Sequence, residues 1–163
     1  EKGLREYAAA AKIVKDQFPQ IKFDLVGAED KSLDAISLEE VYSWGNYVNY
    51  NGSTDDVRPY IKKCHVYVLP SYHEGLPRST LEAMSMGRPI LTTDAAGCKE
   101  TVDEGMNGFM VPVGASKKLA EKMIWFIKNK DKIPIMGKKS RNIVETRFDV
   151  RKVNEEMLRI LGI

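Results

Sequence analysis

The chain has 163 residues, 43% of them hydrophobic, with 25 Lys and Arg against 23 Asp and Glu and a formal net charge of +2. That length suits one domain with a real core, and the charges are spread without the basic block that nucleic-acid binding calls for. No apolar run approaches the ~20 residues needed to cross a bilayer and no signal peptide opens the sequence, so the cytoplasm is the expected compartment.

Gly3 to Gln17 places Leu4, Tyr7, Ala8, Ala11 and Val14 on one helical face. Phe18-Pro19 ends that helix, and Ile21–Gly27 alternates apolar and polar residues into a glycine, as a strand does. A second helix is expected from about Leu33 to Trp44, and a short strand at Tyr47–Gly52. Thr54 or Asp55 offers a cap for a short helix ending near Cys64. His65–Pro70 is strongly β-forming and nearly all apolar, as expected of a strand covered on both faces, with His65 structural. A helix follows Pro77 and closes at Gly87, then come a strand in "RPILTTD", a short helix in "GCKETV" and a strand in "GFMVPV". Two or three helices finish the chain, at Ser116–Lys128, about Ile133–Arg147 and Val150–Ile160.

Strands alternating with helices predict an α/β, doubly wound, Rossmann-like parallel sheet. In that architecture a strand should precede the helix at Gly3, and the first strand is missing from this sequence. Cys64 and Cys98 fit no zinc or redox spacing and are expected to be buried, reduced thiols. Trp44, Trp125 and the Met84–Met86 segment read as packing residues.

In doubly wound sheets ligands sit beyond the carboxyl ends of the strands, where loops enter helices. Pro70 to Thr80 is such a loop. Gly75 permits close backbone approach, and Ser79 and Thr80 put hydroxyls and N–H groups at a helix start, which suits a phosphate. Glu74 lies before that helix and Glu82 about one turn inside it. Carboxylates accept hydrogen bonds from vicinal diols, so an acid, a donor-rich turn and a second acid match a sugar, a diphosphate and a ribose in series. With 13 glutamates in the chain the spacing alone is an ordinary coincidence. The strand–glycine–helix context gives it meaning. Glutamate near a helix start also has a plain role, stabilising the helix dipole, and that applies to Glu100 as well.

The stretch "EGLPRSTLE" (Glu74–Glu82), within "LPSYHEGLPRSTLEAMSMGRPILTTDAAGCKETV", resembles the retaining family-4 glycosyltransferases of bacterial capsule and O-antigen synthesis. "EGMNGFMVPV", Lys2-Gly3 and "NGSTDDV" resemble the family too, so the likeness covers nearly the whole chain. It implies the C-terminal half of a GT-B fold: residues 1–163 as the nucleotide-sugar (donor) binding domain of a two-domain enzyme. By the same resemblance Glu74 serves at the catalytic position by binding donor-sugar hydroxyls, and Glu82 holds the ribose diol. The backbone of Gly75, Leu76, Arg78, Ser79 and Thr80 receives the diphosphate, Lys2 neutralises it as it leaves, and the backbone at Thr54 touches the base. Pro77 has no N–H to offer. The family's partner arginine would lie upstream of Glu1 and the acceptor domain is absent, so this fragment is expected to be inactive alone.

The implied reaction moves a hexose from a nucleoside diphosphate, most reasonably UDP, to a glycan or lipid-linked acceptor held by that other domain, peripherally at the inner membrane face. No metal or other cofactor is expected, consistent with the lack of an Asp-x-Asp motif; Asp55-Asp56 reads better as a helix cap. His73 could touch the sugar or simply be solvated. A GT-B sugar-nucleotide epimerase and a non-catalytic nucleotide-binding module stay open as alternatives. A dinucleotide oxidoreductase is disfavoured, since no Gly-x-Gly-x-x-Gly follows any strand.

Overall fold

The computed structural model describes residues 2–30 and 35–161. Its elements alternate from the start: α1 Leu4–Gln17, β1 Asp24–Leu25, α2 Leu38–Ser43, β2 Asn49–Tyr50, α3 Arg58–Lys63, β3 Tyr67–Leu69 and α4 Arg78–Ser85. They continue as β4 Ile90–Thr93, a 3-10 turn at Lys99–Thr101, β5 Gly108–Val111, α5 Ser116–Lys128, α6 Lys132–Arg147 and α7 Val150–Leu161. All strand pairings are parallel, in the orders β1-β2 and β3-β4-β5. The α/β parallel architecture stands, but the described strands form two sheets rather than one continuous one. The inner edges of β1 and β3 have no ladder partner among the described residues.

Period-2 alternation explains how β3, β4 and β5 are covered on both faces. Leu91, Phe109 and Val111 join Val66 and Val68 in a core with α1 and α5, where Tyr7, Ala11, Val14, Leu119, Met123 and Phe126 are buried. Their sequence neighbours Ile90, Met110 and Tyr67 point into a second core with Ala83 and Met84 of α4 and Ile143 and Val144 of α6. Burying side chains of this size contributes roughly 1.5–3 kcal/mol each before entropy is counted. Phe23 and Val48, beside β1 and β2, enter the first core through α1.

Several local expectations need correction. β1 and β2 span two residues each, although the Asn49 N–H to the Phe23 carbonyl, the Asn51 N–H to the Leu25 carbonyl and the Gly27 N–H to the Gly52 carbonyl carry contact between the two segments beyond the ladder. Leu33 and Asp34 lie outside the described residues, and α2 begins only after Ser37, whose hydroxyl accepts the Glu40 N–H at 3.2 Å. Neither Thr54 nor Asp55 caps α3. Its start is held by Asp56, whose carboxylate accepts the Arg58 N–H at 3.0 Å and ion-pairs with the Arg58 guanidinium. His65 is exposed in a bend ahead of β3, and Cys64 is only half-buried while Cys98 is fully buried. Trp44, Trp125 and Met84 do pack into the cores.

Candidate functional site

The site forms where β3 and β4 end. Gly3 caps α1 in the left-handed region at φ 68°, and a Cβ there would lie 2.0 Å from the Pro70 carbonyl oxygen. Only glycine allows the start of α1 to lie so tightly across the end of β3. The contact delivers Lys2 to the loop after β3, where its Nζ donates to Glu74 Oε1 at 2.5 Å.

Glu74 is fixed from three sides. Its backbone N–H donates to the Ala96 carbonyl at 3.1 Å, in the turn after β4. That turn passes through Gly97 at φ 78°, where a Cβ would meet the Glu74 carbonyl oxygen at 2.2 Å and that of Gly75 at 2.3 Å. Its carboxylate accepts the Ser71 hydroxyl at 2.7 Å, on the same Oε1 that Lys2 uses. Ser71 is fully buried, and its own carbonyl accepts the Thr93 hydroxyl from β4. The Glu74 side chain is 11% exposed and that of Lys2 60%. Burial pushes the Glu74 carboxyl up, but hydrogen bonds from Lys2 and Ser71, helped by the charges of Lys2 and His73, hold it below the ordinary glutamate value. The carboxylate is therefore ionised at neutral pH, with Oε2 free of any protein donor among the described residues.

The loop then turns into α4 at Pro77, whose extended backbone (φ −73°, ψ 102°) carries no side-chain cap. Among the described residues the N–H groups of Gly75, Leu76, Arg78 and Ser79 have no acceptor, leaving donors at the positive end of the helix. Thr80 departs from expectation. Its N–H donates to the Pro77 carbonyl at 3.0 Å, and its fully buried hydroxyl has no partner among the described residues. Burial pushes the Tyr67 phenol up to about 12, with the Ser79 hydroxyl acting against it. Gly75 needs to be glycine for no internal reason, since an added Cβ would meet nothing within 4 Å.

Glu82 is exposed on α4 and, with Arg58 and Arg78, lines an open groove of about 390 Å³ that Leu81, Met86, Val144 and Phe148 complete. Thr54 lies in the loop leading to α3 and Arg58, its hydroxyl donating to the Asp56 carbonyl at 3.0 Å. Lys2 and Glu74 are thus brought into contact, Glu82 lies farther along α4, and among the described residues the Thr54 hydroxyl is bonded to Asp56 and to neither glutamate. His73 and Glu100 are exposed. Among the described residues no group of three or more His, Cys, Asp or Glu side chains is placed to hold a metal ion. Nor is any described helix long and apolar enough to cross a membrane.

Sequence reasoning missed Ser71 and Gly97. Gly97 had a readable signal, a glycine between a strand and a short helix in "DAAGCKE"; Ser71 gave only a small hydroxyl beside a proline.

Comparison with known proteins gives the chain its relatives. A capsular polysaccharide biosynthesis glycosyltransferase, CapM of Staphylococcus aureus, is 27% identical over 159 residues, covering 96% of this chain and 42% of its own. The N,N'-diacetylbacillosaminyl-diphospho-undecaprenol alpha-1,3-N-acetylgalactosaminyltransferase of Campylobacter jejuni is 35% identical over 122 residues, 75% of this chain and 31% of its own. The chain therefore spans less than half the length of these relatives. Anabaena HepE, crystallised with UDP, superposes with a TM-score of 0.87 at 27% identity, over 99% of this chain and 45% of that one. The family model for glycosyl transferases group 1 matches residues 1–129, and the chain belongs to that family.

Proposed function

We propose that this chain is the donor-binding half of a retaining hexosyltransferase that builds a bacterial surface polysaccharide or lipid-linked glycan. Its donor is a nucleoside-diphosphate sugar, with uridine as the base, and its acceptor is held by a separate N-terminal domain. The observation that carries this reading is the pairing of Lys2 with Glu74 at the mouth of a helix start where, among the described residues, the N–H groups of Gly75, Leu76, Arg78 and Ser79 lack acceptors. The relatives named for polysaccharide synthesis and the UDP bound to HepE support it.

The chemical problem is a departing diphosphate. Lys2 exchanges Glu74 for the phosphate oxygens, and the N–H groups of Gly75, Leu76, Arg78 and Ser79 supply oriented donors that need no reorganisation as charge develops. Glu74, left ionised, accepts hydrogen bonds from the sugar hydroxyls, and Glu82 accepts them from the ribose diol. The backbone at Thr54 meets the base. The scheme uses no metal.

Calorimetric titration with UDP, GDP and several UDP-sugars, with and without magnesium, tests it. The expected result is metal-independent binding of a uridine diphosphate that falls at least tenfold in Glu82→Ala. Binding indifferent to Glu82, or no nucleotide binding by the wild-type chain, would overturn it.

A further inference from the structure

We propose that Ser71 is a positioning residue for the donor sugar: by anchoring Oε1 of Glu74 it presents Oε2 to the sugar hydroxyls. The inference rests on the donor-binding reading above.

A carboxylate on a loop rotates about its last torsion, and a rotating acceptor loses geometric selectivity. At Glu74 that rotation is opposed by two donors converging on one oxygen, Ser71 Oγ at 2.7 Å and Lys2 Nζ at 2.5 Å. Lys2 is mostly exposed and, in the proposed scheme, leaves when the diphosphate arrives. Ser71 has no such alternative. It is fully buried, and its carbonyl is tied to β4 through the Thr93 hydroxyl, so it cannot follow the ligand. Once Lys2 has moved, Ser71 is the remaining described donor to the Glu74 carboxylate, and Oε2 keeps both lone pairs for the sugar. The arrangement spares the protein from having to order the acceptor when the sugar binds.

Among the described residues the hydroxyl of Ser71 bonds to Glu74 alone, so Ser71→Ala removes the anchor with little change of volume, and Ser71→Cys restores a weak donor. The test is the ratio of UDP-sugar to UDP affinity, measured by calorimetry on the chain. It is expected to fall about tenfold in Ser71→Ala, the size of one charge-assisted hydrogen bond, and to recover in part in Ser71→Cys. A ratio unchanged in Ser71→Ala, or an equal loss for UDP and UDP-sugar as a merely structural residue would give, overturns the inference while leaving the donor-binding reading intact. No UDP binding by the wild type overturns both.

A ligand-independent readout accompanies it. The groups acting on the Glu74 carboxylate are Lys2, Ser71 and His73. In carbon-detected NMR the carboxyl carbon of Glu74 should titrate at higher pH in Ser71→Ala than in the wild type. An unmoved midpoint would refute the anchoring.

Discussion

Lys2 and Glu74 stand 72 positions apart in sequence and meet at 2.5 Å, one side chain largely exposed and the other largely buried. The half-exposed ion pair contributes little to stability, about 0–1 kcal/mol. Its importance lies in the ligand. Lys2→Met should leave urea unfolding within about 1 kcal/mol of wild type while lowering UDP affinity at least tenfold, read by calorimetry. An unchanged affinity would remove Lys2 from the diphosphate site.

The same pair sets a pH dependence. The folded pKa of Glu74 lies below its ordinary 4.5. Its stabilisation is therefore fully present above the unfolded value and lost as pH falls through the folded one. The gap in unfolding free energy between wild type and Glu74→Gln should shrink as pH is lowered from neutral to about 3. A gap that widens on acidification would contradict the sign.

Two glycines of the site should respond in opposite ways. Gly97→Ala forces a Cβ onto the carbonyls of Glu74 and Gly75 at a left-handed φ, and should cost about 2–4 kcal/mol in thermal or urea unfolding. Gly75→Ala meets nothing in the protein and should stay within about 0.5 kcal/mol. If it nevertheless weakens UDP binding, the space above Gly75 belongs to the ligand.

Thr80 carries a buried hydroxyl with no partner among the described residues. Thr80→Val keeps the shape and removes the unsatisfied group, and should raise stability by about 1 kcal/mol. A lower melting temperature would mean that the hydroxyl has found a partner.

What could be read from residues alone was whatever depends on local pattern. The long helices α1, α5, α6 and α7 were legible, α1 through the face formed by Leu4, Tyr7, Ala8, Ala11 and Val14, and Glu74 and Glu82 stood out through their context around a helix start. Ser71 could not be read that way: its importance depends on where β4 places Thr93 and on which Glu74 oxygen it meets, both long-range facts. Thr80 shows the reverse failure. A hydroxyl in the first helical turn suggests exposure, but the helix phase turns it inward beside Ala83 and Met84. The cap of α3 went to Asp56 because Thr54 spends its oxygen inside its own loop.

The separation of the β1-β2 ladder from the β3-β4-β5 ladder has a consequence for how the molecule opens. Among the described residues no backbone hydrogen bond of a shared sheet crosses between them; Phe23 and Val48 are joined to the rest through side chains packed under α1. Side-chain packing without a shared ladder permits partial unfolding of one piece while the other persists. Amides of Asn49 and Asn51, which donate to Phe23 and Leu25, should therefore exchange with deuterium faster than those of Leu91 and Phe109. Such a chain breathes at the half that carries the Thr54 loop while the strands beneath Glu74 stay closed.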